Sequence, residues 1–269
     1  HAAPDLLICH RCNARRQLPR RCPECRSERI KQFGAGTQRV EADLRQLFPA
    51  ARVLRWDSDE TRQRGAHEMI LAQFVNRQAD VLVGTQMVAK GLDLPLVTLV
   101  GVMAADLGLN LPDYRAAERT FQVLTQVAGR AGRGLAGGQV ILQTYAPEHF
   151  AVQAAASHDY AEFYRQELRL RRELGYPPFR QLVRLIFRGP NAAAAERAAT
   201  VLAGQIGQWL RDENRAATDV IGPAPCFYGK SGGDYRWQII LRGPDPASVL
   251  RGRNLPEGWQ VEVDPVSTL

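Results

Sequence analysis

Apolar and polar positions change period several times along the chain. Val40, Leu44 and Leu47 recur at helical spacing behind Gly34-Ala-Gly-Thr37, with Thr37 placed as an N-cap and Glu41 in the first turn. Residues 52–56 read as a strand that ends in Asp57, Ser58 and Asp59. Met69, Ile70, Phe74 and Val75 then fall on one helical face. Residues 80–84 and 97–103 are short continuous apolar runs, as expected of strands buried on both faces of a parallel sheet. A helix over 115–128 and a strand over 139–143 follow. This alternation across 34–145 predicts an α/β layer domain with a parallel sheet.

Residues 148–174 read as a long helical connector, stopped by Gly175-Tyr-Pro-Pro178. Beyond it the pattern predicts a strand over 182–187, a helix over 191–209 capped by Asn191, a turn at 222–225, and strands over 235–242 and 259–263. The expected organisation is a cysteine-rich module over 1–33, an α/β lobe over 34–147, the connector over 148–178 and a small α+β domain over 179–269. No internal repeat is visible. The longest nearly continuous apolar stretch, 97–105, is about half the ~20 residues of a membrane span. No charged segment followed by an apolar one opens the chain, so no secretory signal is expected.

The 269 residues are 45 % hydrophobic and 23 % charged, which excludes wholesale disorder and fits one large domain or two ordinary ones. Thirty-five basic against 28 acidic residues give +7, and the excess is uneven. Residues 1–33 hold eight Arg or Lys against Asp5, Glu24 and Glu28. Such a cluster suits a phosphate backbone, and a solvated basic face is the plainer alternative. Four of the five cysteines form Cys9-x2-Cys12 and Cys22-x2-Cys25, nine residues apart. Two such knuckles can share one tetrahedral zinc with Zn–S near ~2.3 Å. Redox thiols or a disulfide are the competing readings. Cys226 is isolated and reads as a buried inert thiol.

Two segments of the α/β region carry chemistry. Gly84-Thr-Gln-Met-Val-Ala-Lys-Gly-Leu-Asp-Leu-Pro95 follows a buried strand directly, where open α/β sheets bind ligands. Thr85 and Gln86 offer a hydroxyl and an amide, Gly91 permits close backbone approach, and Asp93 can accept from a ribose hydroxyl. An ordinary strand–loop–helix junction is the alternative. Gln126-Val-Ala-Gly-Arg-Ala-Gly-Arg133 ends a helix and presents two guanidinium forks, Arg130 and Arg133, each preceded by glycine. A planar fork suits phosphate. A helix C-terminus with its cations and glycine cap explains one Arg and one Gly, but not the octet. In the C-terminal region Lys230 lies in a Gly-rich loop, and Arg236 and Gln238 alternate with Trp237. They form either an anion-binding patch or a solvated face with Trp237 in the core.

Taken together, these motifs resemble the second RecA-like lobe of superfamily 2 helicases. The cysteine pairs upstream, and Gly222-Pro-Ala-Pro225, Lys230 and Tyr235-Arg-Trp-Gln238 downstream, narrow the resemblance to the PriA-type primosomal helicases of replication restart. The resemblance covers essentially the whole chain. It implies an ATP-dependent 3′–5′ DNA helicase that recognises stalled or repaired forks and binds forked and single-stranded DNA. It also implies contact with single-stranded DNA-binding protein, through an acidic tail, and with other primosome proteins, in the cytoplasm at the nucleoid. Arg130 and Arg133 would reach ATP phosphates, with Gln126 at the same lobe interface. Gly91 and Asp93 would lie near the nucleotide, and Thr85 and Gln86 near DNA. Leu92-Asp93-Leu94 departs from relatives that carry His or Phe there.

The family's phosphate loop and Asp-Glu box, which would hold ATP with Mg2+, do not occur in this sequence. The chain is therefore expected to be the C-terminal portion of such a helicase and inactive by itself. The family carries eight zinc cysteines, and in its arrangement Cys9 and Cys12 serve one Zn2+ and Cys22 and Cys25 another. With four present, either one shared Zn2+ or none is expected. Two other classes compete: a non-enzymatic zinc-ribbon module docking DNA and proteins on a vestigial helicase lobe, and a transferase on a single α/β lobe. The intact octet favours the helicase over the first, and the missing glycine-rich phosphate cradle counts against the second.

Overall fold

The computed structural model describes residues 6–8, 15–17, 19–23, 25–28, 36–57, 65–85, 94, 96–129 and 138–269. The chain divides into two compact units, one of residues 19–109 and 117–163 and the other of 1–18, 110–116 and 164–269. Among the described residues no helix is long and apolar enough to cross a membrane.

The first unit is built from parallel strand pairs with helices between them. Helix α1 (Thr37–Leu47) precedes β3 (Val53–Trp56), α2 (Ala66–Val75) and β4 (Val81–Gly84), with β1 (Leu6–Ile8) and β2 (Arg15–Gln17) earlier in the chain. Strands β3 and β4 run parallel, Val53 opposite Val81 and Trp56 opposite Gly84. A second parallel pair joins β5 (Leu99–Val102) to β6 (Gln139–Leu142), with α3 (Ala116–Ala128) between them in sequence. Parallel pairing requires such a crossover, and the expected strand–helix alternation is what is observed.

Phe121 and Leu124 of α3 lie three apart on one face and are buried with Ala151, Val152, Ala154 and Ala155 of α4 (Phe150–Ala156) and Phe163 of α5 (Tyr160–Leu174). The Phe121 and Phe163 rings stack at 4.1 Å. The small residues of α4 bring its backbone close to this core. Gly108 does the same for the turn after β5, since a Cβ there would meet Thr120 Oγ1 at 2.5 Å.

The continuous connector expected over 148–174 is broken into α4 and α5. His149 caps α4 by accepting from Ala151 N through Nδ1 at 3.1 Å, and burial keeps its pKa low and that nitrogen an acceptor. Ser157 Oγ donates back to Gln153 O at 3.0 Å, while Asp159 Oδ1 accepts from Glu162 N at 2.8 Å. Local side chains thus compete with the helix ladder and split it. Thr37 is not the cap of α1. Gly36 holds that position, and the Thr37 hydroxyl donates to Asp57 Oδ2 at 2.5 Å instead.

In the second unit a four-stranded antiparallel sheet has the order β10-β7-β9-β8. Its strands are β7 (Gln181–Gly189), β8 (Asp219–Ser231), β9 (Asp234–Gly243) and β10 (Trp259–Val263). Helix α6 (Ala192–Asp212) and a 3-10 turn (Pro246–Leu250) cover one face. There Val183, Leu185, Ile239 and Leu241 pack on Leu202, Ile206, Leu210 and Val249. Leu182 and Ile186, of opposite parity on β7, are also buried, so this strand is covered on both faces. Asn191 caps α6 as expected, accepting from Ala194 N at 3.1 Å. β1 and β2 pair antiparallel elsewhere in the unit.

The turn expected at 222–225 lies inside β8. Gly222 (φ +98) and Pro223 are absorbed by a register shift between Ile221 and Ala224. A Cβ at Gly222 would come within 3.0 Å of Gln238 O. On an edge strand a bulge accommodates residues that would end an interior strand.

Two outcomes follow. Ile206, fully buried between helix and sheet, should cost about 2–5 kcal/mol when cut to Ala, read by chemical denaturation. The Arg52 guanidinium, bonded to Asp80 at 2.7 and 3.0 Å, and the Arg52 amide at 2.8 Å hold the exposed Asp80 carboxyl down to about 2. A depressed carboxylate stabilises above its ordinary value and loses that contribution as pH falls through its folded one. The melting temperature of Asp80→Asn should therefore fall less steeply than the parent's between about pH 4 and 2.

Candidate functional site

Parallel strands bring their carboxyl ends to one edge of each pair. After β3, Asp57 is buried, accepts from the Thr37 hydroxyl and is ion-paired with Arg55, whose Nε lies 3.2 Å away. Arg55 Nη1 reaches Glu41 at 3.3 Å. Thr85 follows β4 next to this network by register, and is exposed. After β5 and β6, Asp106 accepts from Tyr145 N at 3.0 Å and ties the two strand ends together. Burial pushes the Asp106 carboxyl up, but the Tyr145 amide and the Thr144 hydroxyl outweigh it and leave the group below its usual range.

Gln126 sits exposed near the end of α3, and Gly129 N continues the helix to Thr125 O at 3.0 Å. Gln86, Gly91, Asp93, Arg130 and Arg133 lie outside the described residues, as do Cys9 and Cys12. Cys22 and Cys25 are described on one turn, half-buried and exposed respectively. Arg26 N donates to Cys22 O, and Cys22 N to Ser27 O, both at 2.9 Å. Such a turn fits half of a zinc knuckle. Among the described residues no group of three or more His, Cys, Asp or Glu could hold a metal ion.

The C-terminal sheet carries a pocket of about 490 Å³ on the face away from α6, lined among others by Arg184, Tyr228, Arg236, Glu262, Val266 and Ser267. Arg184 is 3 % exposed and Arg236 8 %. Arg184 donates through Nε to Gln238 Oε1 at 2.7 Å, through Nη1 to Ser267 O at 3.3 Å and through Nη2 to Leu269 O at 2.8 Å. Its charge meets Glu262 at 3.6 Å. Cys226 is buried, as expected, with Sγ 3.8 Å from Arg184 Nη2.

Arg236 and Gln238 thus share a face, as the two-residue period requires. That face is an arginine pocket rather than a solvated surface, and half-buried Trp237 is on the other side. Lys230 is exposed on β8, 4.7 Å over the Tyr235 ring, and is not among the pocket's lining residues. Sequence reasoning missed Arg184. Its signal is a lone charge inside an apolar run, since Arg is almost never fully buried unless paired.

The family model for the primosomal protein N C-terminal domain matches residues 172–266, and the helicase conserved C-terminal domain matches residues 24–134. The chain is 46 % identical over 242 residues to the replication restart protein PriA of Bacillus subtilis, covering 90 % of this chain and 30 % of that protein. The Synechocystis PriA is 48 % identical over 245 residues, with 91 % and 29 % covered. The Treponema pallidum PriA is 40 % identical over 278 residues, with 100 % and 42 % covered. The chain belongs to the PriA replication restart family. It spans between 29 % and 42 % of the length of these PriA relatives. The helicase match ends just past Arg133, and the PriA C-terminal match contains Arg184, Arg236 and Gln238.

Proposed function

We propose that this chain works as part of an ATP-dependent 3′–5′ DNA helicase in replication restart and primosome assembly at stalled forks. The observation that carries this reading is the intact octet Gln126–Arg133 at the end of α3, inside the helicase-matched region. In this reading Arg130 and Arg133 reach the ATP phosphates and offset charge that develops in phosphoryl transfer. Gln126 lies at the same lobe interface, and Gly91 and Asp93 lie near the nucleotide. Thr85 and Gln86 contact or couple to forked or single-stranded DNA. Mg2+ and the phosphate cradle come from sequence beyond this chain.

Cys22 and Cys25 with Cys9 and Cys12 form the zinc-binding module over 1–33, where Zn2+ locks the fold of a segment too small for its own core. The α+β domain over 179–269 docks partners. Its arginine pocket, with Gln238 beside it and Lys230 on the neighbouring hairpin, suits the acidic tail of single-stranded DNA-binding protein, because Arg forks bind carboxylates in pairs.

Four measurements test these assignments. In the full-length protein, Arg130→Ala or Arg133→Ala should lower DNA-stimulated ATP turnover by about 10³–10⁵-fold, and near-normal turnover in both would refute their role. This chain alone should show no ATP hydrolysis. Metal analysis of the purified chain should find one zinc; less than about a tenth of an equivalent would defeat a shared four-thiolate site. A fluorescent penta-aspartate peptide should bind the chain at low salt, and Arg236→Gln should weaken it by about tenfold, the loss of one charge-assisted pair. Lys230→Ala should weaken it less.

A further inference from the structure

Helix α1 is held in place without an apolar core of its own. None of its residues is buried, and a chain of polar ties fixes it to β3. Thr37 and Glu41 lie four apart on one face of the helix. Arg55 and Asp57, at and just past the end of β3, lie two apart on one side of the extended chain. The spacings match, about 6 Å along a helix and about 7 Å along a strand. Thr37 Oγ1 donates to Asp57 Oδ2 at 2.5 Å, and Arg55 Nη1 donates to Glu41 Oε2 at 3.3 Å. Arg55 Nε lies 3.2 Å from Asp57, and Arg45 Nη2 lies 2.8 Å from Glu41. Two cations thus face two carboxylates, and the side chains of Arg55, Asp57 and Glu41 are only 9–16 % exposed.

Trp56, between Arg55 and Asp57, turns to the opposite side of the strand. It is buried, and its Nε1 donates to His67 Nδ1 of α2 at 2.8 Å. A half-buried ionic network adds little stability over an apolar contact of the same volume, because taking charges out of water offsets their attraction. It does restrict geometry, since the hydroxyl, the carboxylates and the fork are satisfied together in one placement of α1 on β3. That placement sets the first turn of α1 at the carboxyl end of β3. Helix α1 also packs on β4, which runs parallel to β3 with Gly84 opposite Trp56. Exposed Thr85 therefore follows β4 beside Asp57 at the same edge.

We propose that Asp57 is a positioning residue for DNA binding: by holding the Thr37 hydroxyl it fixes the start of α1 at the strand edge, and with it the place at which Thr85 meets single-stranded DNA. The proposal rests on the reading of Thr85 as a DNA contact given above. A carboxylate at an edge that receives phosphates repels them unless its charge is met. Asp57 is 6 % exposed, and Arg55 and Thr37 meet it. It acts on the DNA only through its neighbours. A binding side chain must be held within about 0.5 Å of its productive place by the groups around it. With the tie cut, the first turn of α1 shifts across the edge and Thr85 loses a fixed neighbour.

The DNA dependence of ATP turnover in the full-length protein is the test, with single-stranded oligo-dT as the DNA. Thr37→Val removes the hydroxyl and keeps the shape. It should raise the DNA concentration for half-maximal turnover by about tenfold, the equivalent of one hydrogen bond to a charged group. The maximal rate should stay within about twofold, since binding rather than chemistry is disturbed. Thr37→Ser, which keeps the donor, should restore the parent value, with the melting temperature unchanged across the set. Asp57→Ala should match Thr37→Val; it also strands Arg55, so the Thr37 pair carries the test if that variant does not fold. Added to Thr85→Ala, Thr37→Val should change nothing further, because it acts through Thr85. If Thr85→Ala raises the half-maximal concentration and Thr37→Val does not, the positioning role is overturned while the DNA reading of Thr85 stands. Full additivity of the two, or failure of Thr37→Ser to restore binding, overturns it as well. If Thr85→Ala leaves the DNA dependence unmoved, the reading of Thr85 fails and the proposal fails with it.

Discussion

A guanidinium in the middle of a strand covered on both faces is an expensive thing to fold around. Arg184 sits there, three residues into β7, and a buried charge is tolerated only when its donors are met. Gln238 on β9, Glu262 on β10 and the carbonyls of Ser267 and Leu269 meet them. Those partners come from three directions, so satisfying one side chain fixes the register of the sheet against its neighbours and the path of the last residues over its face. The alternation of β9 then has one outcome only. Ile239 and Leu241 go to α6, Arg236 goes to the pocket, and Gln238, on the same side, accepts from Arg184.

The parallel-strand unit works differently. Its order comes from apolar contact, with Phe121, Leu124 and Phe163 packed on a helix of alanines and valine, and from a few polar ties at the strand ends. Asp57 and Asp106 each close the carboxyl end of a strand by accepting from neighbouring groups. Such ties hold the ends where a ligand-binding loop departs, so that the loops can vary while their anchors do not.

Much of this was legible in the chain, and the exceptions have identifiable physical causes. Short apolar runs between helical periods marked the parallel strands, but the burial on both faces expected of them is not met in β5 and β6, which alternate exposed and half-buried residues, Leu99 being 58 % and Ile141 54 % exposed. The octet at 126–133 stands out in the sequence alone, because a helix end with its glycine cap calls for one Gly and one cation, not two Gly-Arg pairs at that spacing. Arg184 was visible as an anomaly, but the destination of its donors was not, since their partners lie 42 and more residues away. The break at Ser157–Asp159 and the Thr37–Asp57 bond depended on which local hydrogen bond won, a contest that periodicity does not register. Gly222-Pro-Ala-Pro225 reads as a turn because glycine and proline end interior strands, and only the position of β8 at the sheet edge reverses that reading.

That edge position has a consequence for how the molecule behaves in a crowded solution. An outermost strand of 13 residues offers a row of backbone donors and acceptors on which another chain could template itself. Here Pro223 and Pro225 remove two donors from that row. A second register shift, between Pro225 and Lys230, bends the strand again. Within it Phe227 and Tyr228 stand out, 48 % and 41 % exposed, ring against ring at 5.0 Å. Two bared aromatics on a flat, uninterrupted edge would invite fibre-like stacking. On an edge broken twice they can stay uncovered while the strand beneath them offers no continuous ladder for a neighbouring copy to extend.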